Sequence, residues 1–253
     1  MKEFFTLILY QPLFNALAWL YQHASFMDLG VAIILMTTLV RVVLFPLFHK
    51  TAKHQRVTQD LQPEIKKIQK KHKDDKEAQA KHIMELYNRH KVNPLTPIFV
   101  LLIQLPIIFS LYKIFINGFT EESMVLLYPF IDLSGVPGHT FLGLVDLTSP
   151  NLVIAGFAAA FQYIQGKISL SKKGKNTNKE ELSQAEKLGK RMIFIMPGIT
   201  LAILYNLPAA VGLYWTTTTL FSIFQQFVVN RSTSGPKVDN DDGKDVRENK
   251  EDN

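Results

Sequence analysis

Apolar residues in this chain are gathered into blocks of membrane-crossing length, and no other feature of the sequence limits its fold so strongly. A helical span needs roughly 20 mostly apolar residues, and five stretches are candidates: 28 to 49, 94 to 116, 150 to 167, 191 to 206 and 208 to 229. Hydrophobic residues make up 47% of the 253 and mean hydropathy is slightly positive, so the chain reads as an all-α integral membrane protein with five transmembrane helices. The fourth block is short. Pro197 and the break Asn206, Leu207, Pro208 predict a tight, irregular helical hairpin from the last two blocks, the segment 191 to 229.

Lysine and arginine in the connections set the orientation. Residues 50 to 93 hold twelve, residues 117 to 149 none, and residues 167 to 191 eight. The segments 50 to 93 and 168 to 190 are therefore expected in the cytoplasm and the 117 to 149 loop outside, with the N-terminus out and the C-terminus in. The tail 230 to 253, with five basic and seven acidic residues from Arg231 onward, is expected to be disordered.

Residues 1 to 27 admit two readings. Lys2 followed by an apolar run, with Ala16, Leu17 and Ala18 as small-residue cleavage site, has the form of a signal peptide. The apolar core before Gln11 and Pro12 is short, however, and Leu13, Leu17 and Leu20 share a helical face from which Asn15 and Gln22 point away. That pattern favours an uncleaved helix lying in the outer interface. The chain has no cysteine, which excludes disulfides and thiol chemistry.

The basic loop 50 to 93 has its own periodicity. Val57, Leu61, Ile65 and Ile68 form one stripe and Ile83, Met84 and Tyr87 another, either side of the charged break His72 to Lys76. Two antiparallel helices with a thin apolar seam are expected, with Pro63 at a turn or kink. Lys66, Lys67, Lys70, Lys71 and Lys73 are either a solvated face or a surface for anionic lipid headgroups or a partner.

Apart from Asp28 and His49 at the ends of the first, no Asp, Glu or His lies within the five candidate spans. Intramembrane carboxylate pairs, carboxylate relays and a buried metal site are thereby excluded, and the loops carry no nucleotide-binding or zinc-protease motif. No enzymatic activity, cofactor or metal is expected. Against that background Arg41, within Thr37 to Phe48, stands without an internal acidic partner. Along a straight helix it lies roughly 13 Å from Lys50, too deep for easy snorkelling. Gln104, Gln162, Gln165, Thr216 to Thr219, Ser222, Gln225 and Gln226 lie at comparable depth. Each alone is ordinary helix glue; together they suggest a positively charged hydrophilic cavity open to the cytoplasm.

The arginine in LVRVVLFPL, the run NPLTPIFVLLIQLPIIFSLY, the ending GLYWTTTTLFSIFQQ and the basic hairpin between the first two spans together resemble the YidC family of membrane-protein insertases, from about residue 10 to 230. The resemblance implies five helices around a groove open to cytoplasm and lipid. Such a groove receives hydrophilic parts of nascent membrane proteins and releases apolar segments sideways. Partners implied are nascent membrane proteins, membrane lipids and, as candidates, the ribosome, the signal recognition pathway and the Sec translocon, with no sequence-specific nucleic-acid binding. By position Arg41 resembles the family's groove arginine, Gln104 its second-span glutamine and Trp215 its fifth-span tryptophan, while Gln162 and Gln225 join the groove lining. Thr218 and Thr219 stand where the family has serine or threonine followed by asparagine. The chain is expected to be a short bacterial cell-membrane form without the family's large outer domain. A small-solute channel or carrier and an assembly scaffold are the rival classes.

Overall fold

The computed structural model describes residues 2–93, 95–133, 137–169 and 184–232, which are mostly helical. The expected tail and most of the second basic loop lie outside the described residues. Lys2–Phe5 and a π-helical Thr6–Tyr10 lead without a break in helical backbone into α1 (Gln11–His23), which has Pro12 in its first turn. One face of this N-terminal segment is core, with Tyr10, Phe14, Leu17, Ala18 and Tyr21 buried, while Phe4, Leu7, Ile8 and Trp19 are exposed. Asn15 does not point away from the packed face as expected; it is buried and clamps the loop beyond α6.

Helix α2 (Leu29–Val43) starts at Asp28, whose Oδ1 accepts from the Val31 amide at 2.8 Å, and it ends at Leu44. The expected span to residue 49 is broken there. Pro46 lacks the amide that would bond back to Val42, so the next helix, α3 (Phe45–Asp60), departs at 69°. A further break at Leu61, just before Gln62 and Pro63, leads into α4 (Gln62–Lys71), and α5 (Lys76–Arg89) returns against it behind an Asp75 cap. The seam forms from Leu61, Ile65 and Leu86, flanked by Val57, Ile68, Ile83 and Tyr87. Met84, expected in it, is exposed and Leu86 takes the position, because 83, 86 and 87 share a helical face and 84 lies about 100° off it.

Helix α6 (Thr96–Asn117) is the one described helix that is by itself long and apolar enough to cross a membrane, over Ile98–Asn117. α2 and α3 pass that test only jointly, across their bend. α7 (Leu152–Ser169) follows the loop, and the apolar part of α8 (Gln184–Leu204) is the short Arg191–Leu204. α9 (Ala209–Ser232) is diluted by Thr216 to Thr219, Ser222, Gln225 and Gln226.

The expected hairpin of α8 and α9 is tight only at its turn, since α7 packs extensively against both and they barely touch each other. Small residues explain the close approach of α7 and α9. Ala155, Ala158, Ala209 and Ala210 are buried, and a Cβ on Gly212 would stand 2.9 Å from Ile154 Cγ2. The amides of Ala209 and Ala210, which open α9, are taken by the Ser149 and Leu147 carbonyls at 2.9 and 3.1 Å. A two-stranded hairpin, β1 (Thr140–Phe141) and β2 (Val145–Asp146), folds back over the start of α2. The Phe141 ring occupies the space any side chain at position 30 would need, so that residue is glycine.

Candidate functional site

The break at Leu44 determines the environment of Arg41. The arginine lies in the last turn of α2, where the partial negative charge of the helix end favours a cation. The straight-helix depth argued from sequence does not hold, because the chain turns away three residues later. The bend also folds Phe48 back under the guanidinium, whose carbon stands 4.2 Å from the ring centroid. Arg41 is buried, and among the described residues its side chain has no ion pair or hydrogen bond. A cation held this way keeps its hydrogen-bond donors available.

Two other helices bring polar groups to it. Tyr214, buried on α9, interacts electrostatically with Arg41, and its hydroxyl accepts a hydrogen bond from Gln104 Nε2 on α6. One turn further along α9, Thr218 Oγ1 lies beside the same hydroxyl without good hydrogen-bond geometry, and it is buried with no other partner. Of the four consecutive threonines, Thr216, Thr217 and Thr219 spend their hydroxyls on carbonyls four residues back, at 2.8 to 2.9 Å. Only Thr218 leaves its hydroxyl unspent on its own helix. Thr219, expected beside it in the groove, is buried but bonded to the Trp215 carbonyl.

The remaining expected residues are distributed around this cluster. Gln225 Nε2 donates to the Phe45 carbonyl at 3.3 Å, closing the bend between α2 and α3. Gln226 bonds Asn230 at 3.2 Å. Trp215 is half-buried against the main core, and Gln162 on α7 has a buried Oε1 without a partner; neither has a described contact with Arg41. Of the hairpin lysines, Lys67, Lys70, Lys71 and Lys73 are exposed and Lys66 half-buried. Sequence reasoning missed Tyr214, although its spacing of four from Thr218 was a usable signal. It also missed Lys113 on α6, whose ammonium stands 4.7 Å from the Tyr10 ring centroid.

The cluster sets a cation beside the neutral Gln104, Tyr214 and Thr218, of which Thr218 has spare hydrogen-bonding capacity; elsewhere Gln162 Oε1 and His49 Nδ1 are also buried without partners. No cluster of metal-binding side chains occurs among the described residues. Such chemistry recognises and holds; it does not by itself break bonds. A mostly helical, apolar body with a buried arginine among polar side chains defines the class: a helical protein of membrane-protein character. The chain belongs to the 60Kd inner membrane protein family, whose profile matches residues 19–236.

Curated relatives are named "Membrane protein insertase YidC". The one from Ruegeria sp. is 33% identical over 230 residues, covering 88% of this chain and 36% of the relative. The one from Pelobacter propionicus is 31% identical over 227 residues, with 88% and 39% covered, and that of Geobacter sulfurreducens 28% over 227, with 90% and 38%. The chain thus spans about two fifths of the length of these relatives.

Proposed function

We propose that this chain is a membrane-protein insertase. It takes polar segments of nascent membrane proteins into a groove around Arg41 and releases apolar segments sideways into lipid. The observation that carries the reading is the buried, ion-pair-free Arg41 beside the Gln104 and Tyr214 pair and the unspent Thr218 hydroxyl. A passenger segment crossing a bilayer must shed hydration, and a cationic pocket within the protein shortens the low-dielectric distance it crosses. Passenger carboxylates pair transiently with Arg41. Gln162, Gln225, Trp215 and Thr219 border the groove, the last two by packing.

In this reading α2, α6, α7, α8 and α9 are the five spans, and the cytoplasmic lysine-rich hairpin meets anionic headgroups, which the exposure of Lys67, Lys70, Lys71 and Lys73 supports. The protein resides in a bacterial cell membrane. Its N-terminus lies outside and its C-terminus in the cytoplasm. The lysine and arginine asymmetry supports that orientation. The ribosome, the signal recognition pathway and the Sec translocon are the partners such an activity would meet.

The test is reconstitution into liposomes with a small single-span substrate and a solute-flux assay in parallel. Insertion without flux is the expected result, and flux without insertion would end the proposal. Single cysteines near residues 75 and 125, introduced into this cysteine-free chain, should label from opposite sides of the membrane, the first from the cytoplasm. Reversed labelling would overturn the orientation.

A further inference from the structure

Two turns at the N-terminal end of α2 carry large apolar side chains outward on backbones that such residues rarely adopt. Phe26 (98% exposed, φ 55°) and Met27 (61%, φ 60°) are consecutive and left-handed. In the hairpin tip, Leu142 (62% exposed, φ 53°) and Gly143 (φ 67°) are again left-handed, and Leu144 (85% exposed) closes the turn with its amide on the Phe141 carbonyl at 3.0 Å. Three residues, 142 to 144, separate the paired Phe141 and Val145, and a tight turn with both central φ positive ordinarily places asparagine, aspartate or glycine first. Here the first position is leucine. Bulky side chains at positive φ are outliers, so in water Phe26, Met27 and Leu142 would carry backbone strain, and they and Leu144 would expose apolar area, with nothing to offset either.

One carboxylate fastens the two turns together. Asp28 caps α2 through Oδ1 and accepts the Leu142 amide on Oδ2 at 2.6 Å, so the hairpin tip is bonded to the residue that follows Phe26 and Met27. The length of α2 indicates what covers this knuckle. Its 15 residues rise only about 22 Å, against a hydrocarbon core of about 30 Å. For α2 placed across a bilayer, the apolar turns before Leu29 add reach at one end as the apolar start of α3 does at the other.

We infer that Phe26, Met27, Leu142 and Leu144 form an apolar anchor that sits in lipid at the headgroup–acyl boundary of the leaflet facing the N-terminal end of α2. The anchor extends the apolar reach of the short helix and fixes its depth, through Asp28, relative to that surface. It rests on the membrane placement of the chain, independently of what the pocket around Arg41 binds. The Asp28 carboxylate between the anchor and α2 is satisfied by two backbone amides rather than by water alone.

Single cysteines at Phe26 and Leu144, both exposed and so tolerant of change, are spin-labelled in vesicles of phosphatidylethanolamine and phosphatidylglycerol. Collision with oxygen and with a water-soluble nickel chelate is then compared. Leu102→Cys on the exposed face of α6 is the lipid control and His139→Cys the aqueous one. The expected oxygen-to-nickel ratio at positions 26 and 144 is severalfold above that at 139 and below that at 102. In an Asp28→Ala background the ratio at 144 should fall toward the aqueous value. Nickel access at 26 and 144 equal to that at 139, with 102 still protected, would overturn the anchor while leaving the membrane placement intact. Loss of protection at 102 as well would remove the placement itself. Protection that disappears when protein is diluted in lipid would also overturn it, in favour of contact between copies.

Discussion

The ends of α2 contrast in how their polar groups are spent. At the N-terminal end most of the described side-chain polar groups bond backbone across the chain, although Gln22 Oε1 is buried without a partner. Asn15 donates to the Leu126 carbonyl at 2.9 Å and accepts from the Tyr128 amide at 2.6 Å, Gln11 donates to the same Leu126 carbonyl, and Gln22 donates to the Asp132 carbonyl at 2.7 Å. Tyr21 accepts the Gly138 amide, while Asp28 takes two amides. At the C-terminal end, Arg41 has no ion pair or hydrogen bond among the described residues, and Thr218 Oγ1 and His49 Nδ1 are buried without partners. Side-chain-to-backbone bonds close one end, whereas unspent donors leave the other ready to bind. The proposed insertase activity, which would admit polar chain from one side and seal the other, would use that asymmetry.

The contrast breaks most visibly at Asn15. Asn15→Leu keeps the volume but strands the Tyr128 amide and removes one of two donors from the Leu126 carbonyl. A loss of about 1–3 kcal/mol is expected, the cost of an unmade bond at a buried group. It should appear as a lower unfolding midpoint in mild detergent. Asn15→Asp keeps the acceptor for Tyr128 but sets a buried carboxylate oxygen against the Gln11 and Leu126 carbonyls, and should lose at least as much. An unchanged midpoint for the leucine variant would mean that the closed end does not depend on this clamp.

At the open end the expected signature is functional. Arg41→Ala should not lower the unfolding midpoint, since removal strands no ion-pair partner. Insertion of substrates whose translocated segment carries acidic residues should fall about tenfold, the equivalent of one charge-assisted bond of about 1.5 kcal/mol. Arg41→Lys should retain much of the activity, losing only the planar fork. Tyr214→Phe, which deprives Gln104 of its acceptor and leaves the charge, should fall between the two. Matched substrates without acidic residues are the control. Equal losses for acidic and neutral substrates would assign Arg41 to helix packing.

The sequence made the apolar blocks, the basic hairpin and the lone arginine legible because each is a local property: a run, a charge count, a residue out of place. Leu61, Ile65 and Ile68 meet α5 in the seam because helical spacing carries that information. Less local relations stayed hidden. Pro46 was in plain view, yet only the 69° bend shows that it moves Arg41 from mid-helix to a helix end. Thr219 and Thr218 are chemically identical, and which one spends its hydroxyl on its own helix depends on rotamers that no pattern of residue types encodes. Asn15 reads as a polar residue on a polar face until a loop more than a hundred residues later supplies its partners.

The smallest expected effect sharpens the closed end from its edge. Asp146 accepts from the Thr148 hydroxyl at 2.7 Å, the Thr148 amide at 2.9 Å and the Ser149 hydroxyl at 2.8 Å, and these donors hold its carboxyl below the usual carboxylate value. A depressed folded value contributes stability that is present above the unfolded value of about 3.9 and is lost as pH falls through the folded value. The group is exposed, so solvent screens the effect and global unfolding should barely register it. The turn itself should respond, because the carbonyls of Leu147 and Ser149 on either side of Thr148 cap α9. Exchange protection of the Ala209 and Ala210 amides, corrected for intrinsic rates, should therefore decline below about pH 4 in the native chain. In Asp146→Asn it should be lower already at neutral pH and flat with acid. Protection that declines identically in both would show that the acid response of this end arises from another carboxylate, and Asp28, which fastens the hairpin from the other side, is the one to change next.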